Sequence, residues 1–190
     1  MTKYEDAINQ VLDIEWNMFQ QVKSEEPSAC QNQPDAFRDI RRSIYMTWTE
    51  EMVESYLEDL KLAQKNGRNL LTEKYARMDG IIPPINMNPL IDLIVIIEEE
   101  WQNELSEKYP AVYNQVCRNV SSAQNGSNFE VYLRSELETY GDRTIELYLE
   151  HIRNSLKNGE NLAEKALEKL IIEGGYRDLD HAESYLKENQ

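Results

Sequence analysis

Glycine and proline are scarce in this sequence, 7 and 6 of 190 residues, too few turn formers for an all-β fold. Cysteine is scarcer still. With only Cys30 and Cys117 a disulfide framework is not expected, and reduced thiols in the cytoplasm are. His151 and His181 are the only histidines, so zinc is disfavoured. No long apolar run exists: the most apolar stretch, Leu90 to Ile97, is interrupted by Asp92, whereas a membrane span takes roughly 20 residues. The opening MTKYEDAINQ has neither the basic nor the apolar region of a signal peptide. There is no basic excess either. The formal charge is −15 and both halves are acidic, so nucleic acid and anionic membranes are not expected partners. Phosphate-binding loops and nucleophile elbows are absent as motifs, and no cofactor is implied.

Apolar residues make up 41% of the chain, enough for a core and against disorder. The acidity suits a solvated surface, a cationic ligand or a basic protein partner.

The chain resembles itself. A shift of 92 residues lays 37–78 on 129–170 without a gap, with about 13 identities over 42 positions; unrelated segments of average composition would share about two or three. Shared features include Phe37/Phe129, Arg42-Ser43/Arg134-Ser135, Tyr56-Leu57-Glu58/Tyr148-Leu149-Glu150 and a common Lys-Asn-Gly-x-Asn-Leu. Helical periodicity alone does not produce that last run. Upstream, Glu15-Trp16 aligns with Glu100-Trp101 at a shift of 85. We therefore expect a tandem duplicated helical unit: a first repeat over 1–80, a linker over 81–87 containing Pro83-Pro84, and a second repeat over 88–190 with a short C-terminal helix, packed as one compact domain.

Each unit reads as four helices. Ile8, Val11, Leu12, Trp16, Phe19 and Val22 make the first apolar stripe, matched by Leu93, Ile94, Ile97, Trp101 and Leu105. Phe37, Ile40, Ile44 and Trp48 make the second, matched by Phe129, Leu133, Leu137 and Tyr140. Val53, Tyr56, Leu57 and Leu60 make the third, matched by Ile145, Tyr148, Leu149 and Ile152. Asn66-Gly67 and Asn158-Gly159 end the third helices, and Asn69 and Asn161 cap the fourth. Gly174-Gly175 ends the last of these, and Asp178 begins the C-terminal helix. The expected fold is all-α, about nine helices in a pseudo-two-fold bundle.

Glu15 is the first candidate for chemistry. It lies four residues after Val11 and four before Phe19, which turns a carboxylate into an apolar arc, where it must be paired, hydrogen-bonded or protonated. Glu100 is its expected counterpart. Arg42 and Arg134 are the expected partners, able to grip a carboxylate with two bonds; a structural ion pair kept in both halves is the plainer alternative. Cys30, in the loop PSACQNQP, is either a nucleophile or an inert thiol, and neither histidine has a context arguing for a Cys–His pair.

Taken together, EWNMFQQV, ACQ, F-x4-R-S-x4-W, ESYLEDL, GRNLLTEKYARM, LSEKYP, FEVYLRSELETY, ELYLEHI and GENLAE make the chain similar to the bacterial domain-of-unknown-function family 4125 over nearly its whole length. The resemblance implies a bacterial cytoplasmic setting and no mechanism. Its polar signature falls on Glu15, Trp16, Cys30, Gln31, Arg42, Trp48, Tyr56, Gly67, Arg68, Asn69 and Tyr75. A glycine- and arginine-rich loop of the family pattern is replaced here by AVYNQVCRNVSSAQNGSN.

Three functions follow as expectations. The first is a small-molecule site, in or beside the first repeat, drawn from Glu15, Trp16, Cys30, Gln31, Arg42, Tyr56, Arg68 and Tyr75. Glu100, Trp101, Arg134 and Tyr148 are the second-repeat counterparts. The second is an acidic module that docks a basic protein. The third is a helical oxygenase-like protein with a di-metal centre, for which Glu146, Glu150 and His151 have the wrong spacing. A monomer is slightly favoured.

Overall fold

The structure, a computed structural model, describes residues 2–22, 33–117 and 128–189. These form ten α-helices and no strand: α1 (Lys3–Gln20), α2 (Pro34–Tyr45), α3 (Glu50–Lys65), α4 (Leu70–Met78), α5 (Leu90–Lys108), α6 (Pro110–Val116), α7 (Phe129–Leu137), α8 (Asp142–Lys157), α9 (Leu162–Glu173) and α10 (Leu179–Glu188). The all-α expectation holds. The helix beyond the expected nine is α6, which starts on Pro110, a residue whose missing N–H is no loss in a first turn. No described helix is long and apolar enough to cross a membrane.

The helix boundaries have local causes. Thr2 accepts from the Glu5 N–H while the Glu5 carboxylate accepts from the Thr2 N–H, a reciprocal capping box that starts α1. The Asn69 and Asn161 side chains accept from the N–H groups of Thr72 and Glu164. The Asn-Gly stops behave alike: Gly67 and Gly159 take φ of +69° and +68°, which lets Arg68 and Glu160 donate back to the carbonyls of Ala63 and Ser155.

Helix packing is reciprocal between the halves. α1 packs on α2, α3 and α4, and α5 on α7, α8 and α9; α3 meets α8, while α4 packs on α7 and α9 on α2. One core runs through both halves, and its centre is aromatic. Tyr56 lies 4.5 Å from Tyr140, and Trp48 lies 5.3 Å from Tyr148. A smaller core joins α5, α6, α9 and α10 around Leu105, Val112, Ile171 and Leu179. The linker is tied to the second half: Asn86 donates to the Tyr140 carbonyl and to the Asp142 carboxylate.

The α1–α5 correspondence differs from the one read through the tryptophans. The buried residues Ile8, Val11, Leu12, Glu15 and Met18 recur as Ile91, Ile94, Val95, Glu98 and Trp101, a shift of 83 rather than 85. Contacts agree. Glu15 accepts from Tyr56 and Glu98 from Tyr148; Arg42 donates to Asn9 and Arg134 to Asp92; Asn69 donates to the Met18 carbonyl and Asn161 to that of Trp101. Two residues on a helix are about 200° of rotation, so matching Trp to Trp places Glu100 on the solvent side. Glu100 is indeed exposed, and Glu98 is the carboxylate that α5 buries.

Candidate functional site

α2 presents an unexpected face inward. Ile40 is 46% exposed and Ile44 half-buried, whereas Arg41, Ser43 and Tyr45 are buried. Arg41 therefore enters the core between α1 and α7. Its Nε donates to Glu15 Oε2 at 3.0 Å, and its Nη2 reaches Glu15 Oε1 at 2.5 Å and Glu136 Oε1 at 2.6 Å. The same Nη2 also donates to the Tyr45 hydroxyl. Glu15 Oε1 accepts further bonds from Tyr45 and Tyr56 at 2.6 and 2.8 Å. From α4, Lys74 Nζ closes the network on Glu136 Oε2 at 2.6 Å and sits 3.6 Å from the centre of the Tyr132 ring. Tyr140 donates to Glu136 Oε1 at 2.9 Å.

Two cations thus meet two carboxylates in a place closed to water. Burial alone would raise the Glu136 carboxyl, but the charges of Arg41 and Lys74 outweigh it and hold it far below the usual carboxylate range. Burial likewise lifts the phenols of Tyr45, Tyr56 and Tyr140 well above 10. Among the described residues no fully buried side-chain nitrogen or oxygen lacks a hydrogen-bond partner. The network joins α1, α2, α4 and α7 through side chains whose polar atoms are paired with one another.

The corresponding place in the other half is hollow. Moving by 92 residues, Arg41 becomes Leu133, Tyr45 becomes Leu137 and Lys74 becomes Ala166; in the reverse direction Tyr132 and Glu136 become Ile40 and Ile44. Between α2, α5, α7 and α9 lies a cleft of about 180 Å³ bounded by Ile40, Ile44, Leu133, Ala166 and Leu167, with Glu98, Arg41 and Glu136 also in its lining. Lysine and arginine side chains fill the first site; their short or apolar replacements leave the second open.

Glu98 is buried there. It accepts one hydrogen bond, from the Tyr148 hydroxyl at 2.9 Å. Burial pushes its carboxyl up to about 7, and the Tyr148 bond opposes this only in part. Cys117 lines the cleft at the end of α6, and burial lifts its thiol to about 12, which leaves it protonated and a poor nucleophile.

Of the residues singled out from the sequence, Glu15 and Tyr56 stand in the charged network and Tyr148 holds Glu98. The expected Glu15–Arg42 pair is not made: Arg41 takes that role, and Arg42 turns to Asn9 on the outer side of α1. Arg134 likewise bonds Asp92 and Glu130 rather than the buried carboxylate. Trp16 is half-buried among Phe19 and Phe37, and Trp101 is core. Arg68 forms an exposed pair with Glu73. Tyr75 packs on Phe19, next to Lys74. Cys30 and Gln31 lie outside the described residues. Arg41, Lys74, Glu136 and Glu98 were not singled out by the sequence reading. For Arg41, Lys74 and Glu136 the signal is a charge in one half facing an apolar residue in the other, which a search for shared residues passes over; Glu98 corresponds to Glu15 and is hidden by the alignment of Trp16 on Trp101. Among the described residues, no group of three or more His, Cys, Asp or Glu side chains is placed to hold a metal ion.

A family model described as protein of unknown function (DUF4125) matches residues 5–184. The chain belongs to the DUF4125 family. Both the charged network and the cleft fall inside the matched span, so they are features of this DUF4125 member's family domain. No curated protein and no solved structure matches the chain.

Proposed function

We propose that this DUF4125 protein binds a small molecule in the cleft between α2, α5, α7 and α9. The observation that carries the reading is the cleft itself, an opening of about 180 Å³ with a largely apolar wall and two buried carboxylates, of which Glu136 is already paired with Arg41 and Lys74 and Glu98 has no basic partner. Binding sites for small molecules have this character, an apolar body with few fixed polar groups. An apolar cavity of about 150 Å³ accommodates benzene, so the fit is to a single ring or a short branched chain. The first half then acts as support, its charged network fixing α1, α2, α4 and α7 around the wall that the two places share. We read the halves as products of a duplication in which one site was filled and the other left open, and the setting as the cytoplasm, on the scarcity of cysteine and the acidic charge.

The test is thermal denaturation of the full chain with fragment-sized aromatic and branched aliphatic compounds, beside Ala166→Leu. The added Leu side chain occupies the cleft, so compounds that raise the parent's melting temperature should have no effect on the variant. No compound raising the parent's melting temperature, or equal rises in both chains, overturns the reading.

A further inference from the structure

Five carboxylates are buried among the described residues: Glu15, Glu98, Glu136, Glu138 and Glu183. Four of them have a basic partner within 3.0 Å. Arg41 holds Glu15, Arg41 and Lys74 hold Glu136, Arg77 holds Glu138 and Lys187 holds Glu183. Glu98 is the exception, with a phenol as its hydrogen-bond donor. The corresponding carboxylate, Glu15, is neutralised by a guanidinium that enters from α2, and the residue at that place in the second half is Leu133. The cleft opens where the basic side chains of the first half have no equivalent. The one basic group among the described lining residues does not supply the missing cation, because Arg41 is already committed to Glu15 and Glu136.

We infer that the cleft takes a small organic cation, an ammonium group on an apolar body of about one ring, with Glu98 as its counter-ion and Tyr148 holding that carboxylate in place. The ammonium supplies in the second half the charge that Arg41 supplies in the first, and the apolar body lies on Ile40, Ile44, Leu133 and Ala166. The inference rests on the cleft being a binding site, and names the class of molecule that occupies it. A chain of formal charge −15 also draws cations toward itself.

Among the described residues, the titratable groups that line the cleft with Glu98 are Tyr148 from α8, Arg41 from α2, Tyr132 and Glu136 from α7, Tyr140 just after α7, which burial keeps protonated, and Cys117 at the end of α6; α9 contributes only apolar side chains. Tyr148 and Cys117 keep their protons throughout the neutral range and Glu136 is ionised throughout it. Over pH 5 to 8 the charge opposite a bound ammonium is therefore set by Glu98.

The experiment is calorimetric titration of the full chain at pH 8 with benzylamine, which is protonated there, and with benzyl alcohol, its neutral analogue. Benzylamine is expected to bind at least about tenfold tighter, the worth of one charge-assisted hydrogen bond. Glu98→Gln should bring the two probes to similar affinity. The parent chain alone gives a second measurement: lowering the pH to 5 should weaken benzylamine more than tenfold and leave benzyl alcohol unchanged. Equal affinities of the two probes at pH 8, both abolished by Ala166→Leu, overturn the cation while leaving the cleft a binding site. Benzylamine binding that does not respond to pH or to Glu98→Gln overturns Glu98 as counter-ion. Binding of neither probe overturns the inference and the reading beneath it together.

Discussion

Glu15 and Glu98 occupy corresponding places on α1 and α5 and meet opposite electrostatics. The first is fully buried against a guanidinium and two phenols; the second has one phenol and a hollow. For Glu98, burial pushes the carboxyl from its usual 4.5 up to about 7, so between those values the folded chain holds a proton that the unfolded chain has released. This contribution to stability is fully present below about 4.5 and is lost as pH rises through 7, leaving a penalty on the order of 3 kcal/mol above it. Glu98→Gln keeps the shape and removes the titration. The difference in unfolding free energy between variant and parent, measured by urea denaturation, should therefore grow in the variant's favour from pH 5 to pH 8; a constant difference would show that Glu98 does not titrate differently on folding. The adjacent arginines of α2 should separate just as clearly. Arg41→Leu leaves Glu15 without a cation and Glu136 with Lys74 alone, at a cost of about 3–5 kcal/mol. Arg42→Leu removes a half-buried bond to Asn9 and should cost no more than about 1 kcal/mol. Urea denaturation at pH 7 orders the two.

At the scale of the helix, what could be read in advance depended on whether the signal was local. The Asn-Gly stops and the Asn caps were legible because one or two side chains decide them, and Val53, Tyr56, Leu57 and Leu60 are buried on α3 as their spacing implies. α2 departs from its own pattern: Phe37, Ile40 and Ile44 make an apolar stripe as good as many buried ones, yet Arg41 and Tyr45 are drawn inward by Glu15, a residue on another helix. No count along α2 contains that partner. The offset between α1 and α5 departs from the tryptophan alignment for a different reason: Trp is rare enough to dominate an alignment, while the buried face is set by Ile, Val and Leu in between. α6 has little local signal because its N-terminus is satisfied from far along the chain. Glu183 on α10 accepts from the N–H groups of Ala111 and Val112 at 3.0 and 2.9 Å; burial opposes ionisation of that carboxyl, but these N–H groups and Lys187 outweigh it and lower it below its usual value. The charge also lies at the positive end of the α6 dipole. Glu183→Ala should therefore release α10 and the first turn of α6 together, seen as faster amide hydrogen exchange in both helices at a cost of about 1–3 kcal/mol. Faster exchange in α10 alone would show that the carboxylate does not hold α6.

For the whole molecule, the two corresponding places share a helix arrangement and differ in what fills them. In the first, charge is buried at a desolvation cost that only complete pairing offsets; in the second, most of the charge is absent and space remains. Arg41, Lys74 and Glu136 correspond to Leu133, Ala166 and Ile44, so a triple variant R41L/K74A/E136I writes the residues of the cleft into the charged site. Each single change in the network strands a partner: Arg41→Leu leaves two carboxylates with one amine, and Glu136→Ile leaves Lys74 without its ion pair. The triple change strands Glu15, which keeps the Tyr45 and Tyr56 hydroxyls as donors much as Glu98 keeps Tyr148, and the Tyr140 hydroxyl, which loses its acceptor as it does in Glu136→Ile alone. The triple variant should therefore lose less stability than the sum of its three single variants, by more than the roughly 0.5 kcal/mol within which independent sites add. Additive losses in urea denaturation would show that the three residues act separately. Partial recovery would show a coupled unit, in which the cleft differs from the charged network by the filling of the site and not by the arrangement of its helices.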